Sequence, residues 1–439
     1  MTSLLAIAVI PLFLAVFSLL NPLPKLTRVV CPALLWVELA ALIWDFFPIL
    51  TGAQAEIGLA EIFRIDRLSA CFVLLTTTVV ASCLTQADCY FDREVEEKPV
   101  DSLHFKIFYA SVCLFLLAMI SVFICDNFGY MWISIEATTL FSAPLVYFDR
   151  NKYAIEATWK YLIICSVGIA FALLGTTFIF ASSQHGAIPH GSLSISELIK
   201  HHAELNFPLL RLGFIFCLLG YGTKAGIYPL HNWLPDAHSE APAPASAMLS
   251  GSLLNCALFG VWRTSQLFSP KNSIVMCEMM IWMGVITTLA AAFFLIKQIS
   301  FKRMWAYSSI ENVGLMLVAI GIGSPGLFFL QAVNHSCAKV SLFLLSGNII
   351  QASGTKKLNK IHGVIETTPL WGVLLVLATL AVAGAPPFGS FTSEMLILLA
   401  SMKAMSWYAA GLLIVAISVS FIAICANVGA VVFGPALSK

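Results

Sequence analysis

"KAGIYPLHNWLPDAHSEAPAPASAMLSG", residues 224–251, sets a lysine, two histidines, an aspartate, a glutamate and four prolines between two apolar runs. Pro229 removes a backbone donor and frees the carbonyl of residue 225, one turn earlier and beside Lys224. Non-helical backbone at membrane depth is tolerated only where protein or a water-filled cavity satisfies it. Broken helices near the midplane are also where transporters bind their ions. An ordinary proline kink needs no lysine beside it, so the stretch reads as a polar site built into a broken membrane helix.

The chain around it supports that setting. Its 439 residues are 59% hydrophobic and 11% charged, with a mean hydropathy of +0.90, against roughly 45–50% apolar and 25% charged for a soluble domain. This composition predicts an all-α, polytopic membrane protein and excludes a soluble domain of any size. Apolar runs of about 20 residues, the length that crosses a bilayer as a helix, recur from end to end, about 13 in all. We place them near 3–20, 29–50, 66–88, 105–125, 127–148, 158–182, 207–228, 242–268, 274–296, 303–323, 326–351, 368–385 continuing as 390–402, and 406–435. The first has neither a positive segment before it nor a small-residue cleavage site after it, so it is expected to be a retained helix with the mature chain starting near Met1.

Lysines and arginines divide unequally between the two sides. One side carries 15, among them Lys25, Arg28, Lys98, Lys297, Lys302, Arg303, Lys356 and Lys439; the other carries 7, among them Arg64, Arg67, Arg263 and Lys271. Positive loops stay in the cytoplasm, so the N-terminus is expected outside and the C-terminus inside. Lys224 and Lys339 belong to neither side, because both fall within spans.

The 12 cysteines are scattered through apolar segments without cluster-ligand spacing, which predicts no iron–sulfur centre. "GYGTKAG" (220–226) has the glycines of a nucleotide loop but follows a membrane helix, not a strand, and carries no weight. His185, His190, His201 and His202 sit in a polar connection, where a solvated loop is the expectation and a metal site is not.

Ionisable groups inside membrane helices are costly enough to mark function. Here they are Glu136 in "YMWISIEATTLF", Lys224, Glu311, His335 and Lys339 in "NHSCAKVSLF", Glu394 after "GAPPFGSFTS", and Glu38 and Asp45 in the second span. Glu136 has Ser134, Thr138 and Thr139 close by as neutral partners, but with Lys224 present an acid–base pair is favoured. His335 and Lys339, four residues apart, share one helical face, about 5–6 Å apart at Cβ. Glu38 and Asp45 have no evident partner and read as structural. Pro386 and Pro387 make a second break, freeing the carbonyls of 382 and 383 just before Glu394.

Spacing also shows a repeat. Lys224 and Glu394 lie 170 residues apart, Glu136 and Glu311 lie 175 apart, and spans begin near both 105 and 274. Five helices therefore recur once, and an odd number inverts the second copy. The expected organisation is 1–103 for the first three helices, 104–269 for one five-helix repeat and 270–439 for the other, with the seventh and twelfth helices broken.

These residues resemble the antiporter-like membrane subunits shared by respiratory complex I, Mrp cation/proton antiporters and membrane-bound group 4 nickel–iron hydrogenases. The likeness is carried by the stretch at 224–251 with "FRIDRLSACFVLLT", "KRMWAYSSIENVGLM" and "HSCAKVSLFLLSGNI". "ISIEATTLFSAPLVYF" and "AYSSIEN" are most similar to hydrogenase-4 component F and formate hydrogenlyase subunits. The resemblance implies a proton relay in which Glu136 pairs with Lys224. Glu311, His335 and Lys339 would continue it, Glu394 would reach one surface, and His238 would stand at the mouth of the broken seventh helix. Asn255 occupies the place where complex I members commonly carry a lysine or histidine, so the relay would there run through water.

The expectation is a proton-translocating subunit in a prokaryotic plasma (inner) membrane, with no redox cofactor of its own. Other membrane subunits and a peripheral hydrophilic arm, carrying iron–sulfur clusters and nickel–iron or flavin, would be its partners; nucleic acid would not. The alternatives are a subunit of an NADH:quinone oxidoreductase-like complex, a Mrp-type sodium/proton antiporter or ion-coupled uptake subunit without redox partner, and a non-pumping scaffold. An enzyme complete in itself is the least supported.

Overall fold

The computed structural model describes the chain apart from residues 1, 60–61, 98–101, 185–187, 189, 269–272, 405–406 and 436–439. His185 and, from the charge count, Lys98, Lys271 and Lys439 lie outside the described residues. Among the described residues the named elements are helices except for one hairpin that the apolar runs do not announce. Helices α1 (Thr2–Leu20) and α2 (Pro24–Thr51) lead into strands β1 (Glu56–Leu59) and β2 (Phe63–Asp66), paired antiparallel with Glu56 opposite Asp66. Then come α3 (Arg67–Glu97), α4 (Ser102–Ile124), α5 (Phe128–Val146), α6 (Lys152–Gln184), α7 (Ile195–Lys200) and α8 (Phe207–Ala225). The quoted stretch forms α9 (Trp233–Glu240) and α10 (Ala243–Met248), and a π-helical turn, Leu249–Leu253, joins α10 to α11 (Leu254–Ser265). The remainder is α12 (Ile274–Leu295), α13 (Phe301–Gly321), α14 (Pro325–Ser353), α15 (Val364–Thr367), α16 (Pro369–Val382), α17 (Gly389–Ala404) and α18 (Trp407–Phe433).

A helix, or an interrupted pair of helices, occupies each expected stretch. Among the described residues eight helical stretches are long and apolar enough to cross a membrane, and α5, α8, α13 and α17 are not among them. Those four carry Glu136, Lys224, Glu311 and Glu394, and α17 is also cut short by its break. The ionisable groups lower the hydropathy of the very helices that hold them.

Two compact units divide the chain. The first is Met1–Leu84, Val100–Ala225 and Ser252–Met276; the second is Thr85–Pro99, Gly226–Gly251 and Cys277–Lys439. The chain changes unit at Ala225/Gly226, just after Lys224, and returns inside the π-turn.

In the first unit α6 and α8 touch backbone to backbone. A Cβ on Gly220 would lie 2.5 Å from the Ala172 nitrogen, and one on Gly175 would lie 2.7 Å from the Gly213 carbonyl oxygen. Small residues at membrane-helix contacts permit this approach, and here it brings the last turn of α8 against α6. Asn127 starts α5 by accepting from the Gly129 and Tyr130 nitrogens at 2.8 and 3.3 Å. At one end of this unit Arg263, 5% exposed at its side chain, meets Asp66 at 2.7 Å and donates to Ser69 Oγ at 3.0 Å. Burial alone would raise the Asp66 carboxyl, but the Arg263 guanidinium and the Ser69 hydrogen bonds hold it below its ordinary value.

Candidate functional site

Lys224 stands in the last turn of α8 with no exposed surface. Its ammonium donates to Thr139 Oγ1 on α5 and to Tyr161 Oη on α6, the latter at 3.1 Å, and lies 5.1 Å from the Tyr161 ring centre. Tyr161 Oη in turn shares a 2.6 Å hydrogen bond with Ser142 Oγ. Glu136, one turn before Thr139 on α5, accepts from Ser166 Oγ at 2.9 Å and from Thr139 Oγ1 at 3.4 Å. The acid and the base are thus brought together, but through a hydroxyl: Thr139 donates to the carboxylate and accepts from the ammonium. Such a joint lets a proton charge on Lys224 be felt at Glu136 without locking the two into a contact ion pair. Cys165 and Cys256 are also within electrostatic reach of Lys224. Asn255, fully buried in α11, precedes Cys256.

Both breaks are present, and each begins at a glycine before its prolines. α8 ends at Ala225 and Gly226 follows at φ +81°; α16 ends at Val382 and Gly384 stands at φ +73°. A left-handed glycine just past the last turn is the ordinary helix terminator, and the prolines then prevent resumption. Pro229 and Pro387 follow cis peptide bonds, Tyr228–Pro229 and Pro386–Pro387. Side chains take up the stray backbone groups: Thr287 Oγ1 accepts from the Tyr228 nitrogen at 3.2 Å, and Ser390 Oγ donates to the Ala381 carbonyl. At the second break Glu394 reaches back across the gap. A Cβ on Gly384 would collide with its carboxylate.

The second unit assembles the remaining candidates. Glu311 on α13 accepts from Ser420 Oγ on α18 and is close enough to interact electrostatically with Lys339 and with Glu394. Lys339 donates to the Trp305 carbonyl at 3.0 Å and sits 5.6 Å from that indole. His335, one turn before it on α14, places Nε2 at 3.2 Å from the Ser250 carbonyl. A carbonyl only accepts, so Nε2 carries the hydrogen, while Nδ1 has no hydrogen-bond partner among the described residues. Ser336 Oγ donates to the Gly251 carbonyl at 2.6 Å. Both carbonyls belong to the π-turn, and α14 bonds to each. π-turns of this kind are frequent at functional sites. His238 lies fully buried with ring centres of Trp233 and Phe343 at 6.2 and 5.8 Å, in electrostatic reach of Lys302 and Lys339.

Other residues fall elsewhere. Glu38 is 1% exposed with neither carboxylate oxygen hydrogen-bonded among the described residues, and Asp45 is half-buried. His201 faces Glu204 at 3.6 Å and His202 Nδ1 lies 2.8 Å from the Ile199 carbonyl, both at the end of α7. Sequence reasoning alone misses the joining roles of Thr139, Tyr161, Ser142, Ser166 and Ser420. Only Thr139 carries a signal there, its place one turn after Glu136.

The profile of the family described as NADH:quinone oxidoreductase/Mrp antiporter, TM, matches residues 125–421. The chain is 38% identical over 342 residues to the hydrogenase-4 component F homolog of Methylacidiphilum infernorum (isolate V4), covering 76% of this chain and 72% of that protein. It is 27% identical over 347 residues to hydrogenase-4 component B of Escherichia coli (strain K12), covering 75% of this chain and 49% of that longer protein. Its fold matches a chain of the membrane-bound sulfane sulfur reductase, an archaeal respiratory membrane complex, with a TM-score of 0.85 at 21% identity, over 98% of this chain and 88% of that one.

Proposed function

Because the chain belongs to the NADH:quinone oxidoreductase/Mrp antiporter transmembrane family, we propose that it is a proton-translocating subunit of a membrane-bound oxidoreductase complex of the hydrogenase-4 or formate hydrogenlyase type. The observation that carries the reading is Lys224: a fully buried amine, joined through Thr139 to Glu136, at the end of a broken membrane helix. An amine so placed can be loaded and emptied as its partner's charge changes. Lys224 is the central carrier and Glu136 sets its proton affinity. His335 and Lys339 pass the proton on, with Glu311 as counter-charge, His238 serves the route to one aqueous side, and Glu394 exchanges with the other. Asn255 supplies an amide in place of a titratable group, so transfer there runs through bound water.

In this reading the chain crosses a prokaryotic plasma membrane about 13 times, with the N-terminus outside and the C-terminus in the cytoplasm. Two inverted five-helix repeats, 104–269 and 270–439, follow three introductory helices within 1–103. Partner membrane subunits flank it, and a peripheral arm carries the iron–sulfur clusters and the nickel–iron or flavin group. The reading is tested by purifying the assembly intact in mild detergent and identifying its subunits by mass spectrometry. A nickel–iron subunit supports it. A flavin-bearing NADH module would replace it with the NADH:quinone alternative, and a purely membranous assembly with the antiporter one.

A further inference from the structure

Helix α9 carries His238, yet at eight residues it is too short to hold its shape without anchors. Three cations from two other segments of the same unit grip it, one at its first turn and two at its C-terminal end. Lys302, in the first turn of α13, donates to the carbonyl of Ala241, the residue that ends α9. Its neighbour Arg303 meets Asp236 Oδ1 at 2.6 Å, and Lys356, in the connection after α14, meets Glu240 Oε2 at 3.0 Å. Cations at a helix C-terminus complement its dipole. Ser246 Oγ adds hydrogen bonds to the His238 and Ala241 carbonyls at 2.8 and 3.1 Å.

Arg303 and Lys356 are half-exposed, as solvated charges are, but Lys302 is only 5% exposed. An ammonium that deep is expensive unless hydrogen bonds offset its desolvation, and the Ala241 carbonyl supplies one. The next turn of α13 holds Lys339, because the Trp305 carbonyl accepts from it. Phe343, one turn after Lys339 on α14, closes on the His238 ring.

We propose that the first turn of α13, together with Lys356, is an ionic clamp on the half-helix Trp233–Glu240, and that Lys302 is a positioning residue fixing His238 relative to Lys339. The clamp rests on the proton-conducting reading for its purpose, though its structural part can be measured separately. Amide hydrogen exchange across 233–241 is followed in the intact assembly beside proton flux, with exchange in α4 as the check that each variant is folded. Arg303→Asp and Lys302→Gln are expected to speed exchange in this segment about five-fold, the effect of losing one modest ion pair or cap, and to slow flux. The charge swap Asp236→Arg with Arg303→Asp restores both, as does the conservative Lys302→Arg. Exchange left at the unaltered rate in Arg303→Asp and Lys302→Gln overturns the clamp, as does a charge swap that behaves like the single variant. Faster exchange with undiminished flux overturns the positioning role. If the unaltered assembly moves no protons while the exchange pattern holds, the clamp stands and the transport reading falls.

Discussion

Thr139 is the joint between the base and the acid of the first unit, and Thr139→Val removes that joint while keeping the side chain's shape. Lys224 Nζ has three N–H groups, two of them taken by Thr139 Oγ1 and by Tyr161 Oη. In the valine variant the ammonium keeps only the tyrosine oxygen, and Glu136 keeps only the Ser166 hydroxyl. A hydrogen bond to a charged group contributes about 1.5–3 kcal/mol, and full burial of Lys224 stops bulk water from replacing it. If that bond stabilises the step in which Lys224 is charged, its loss slows proton flux roughly ten- to hundred-fold, at about 1.4 kcal/mol per tenfold. The assay is the assembled complex in vesicles with a pH-sensitive dye inside, comparing initial rates at equal electron supply. Thr139→Ser, which keeps the hydroxyl, is expected to run close to the unaltered rate. Thr138→Val serves as control, because that hydroxyl bonds the Ile135 carbonyl of its own helix at 2.6 Å. Equal rates for Thr139→Val and Thr138→Val would mean that the hydroxyl joins nothing.

Gly384→Ala puts a Cβ on a left-handed residue against the Glu394 carboxylate. It is expected to lower the melting temperature by an amount corresponding to about 1–2 kcal/mol and to depress flux, while Gly429→Ala, with nothing near its Cβ, does neither. Arg263→Met strands Asp66 without its partner and is expected to cost about 3 kcal/mol in thermal or denaturant unfolding, the low end for a buried pair, since Asp66 keeps 24% of its side-chain surface. The Asp66 carboxyl is held below its ordinary value of 3.8 in the fold. Its contribution is therefore present above that value and lost as pH falls through the lowered one. Thermal unfolding followed downward from neutral pH into the acid range should show this loss in the unaltered chain and not in Asp66→Asn.

What was legible in the sequence is what a membrane makes costly. Apolar runs, prolines and charged residues in lipid each stand out against their surroundings, so the helices, both breaks, and Glu136 with Lys224 and His335 with Lys339 could be read directly. The hydroxyls that join them could not. Thr158 bonds the Ala154 carbonyl and Ser401 bonds the Ile397 carbonyl, each on its own helix. Nothing in the residue type separates these from Ser166 or Ser420, which reach a carboxylate on another helix. The π-turn is hidden for a similar reason. "LSGSL" fits an α-helix locally, and His335 and Ser336, which bond its carbonyls at 250 and 251, lie far along the chain. The hairpin at 56–66 escapes notice because four-residue strands leave too short an alternation to separate from a loop.

Whether Lys224 carries the translocated proton is read from the number of protons moved per electron pair by the reconstituted complex bearing Lys224→Ala. Electron transfer and subunit composition are expected to persist while proton movement through this subunit is abolished. A ratio equal to that of the unaltered complex would mean that the proton passes by another route.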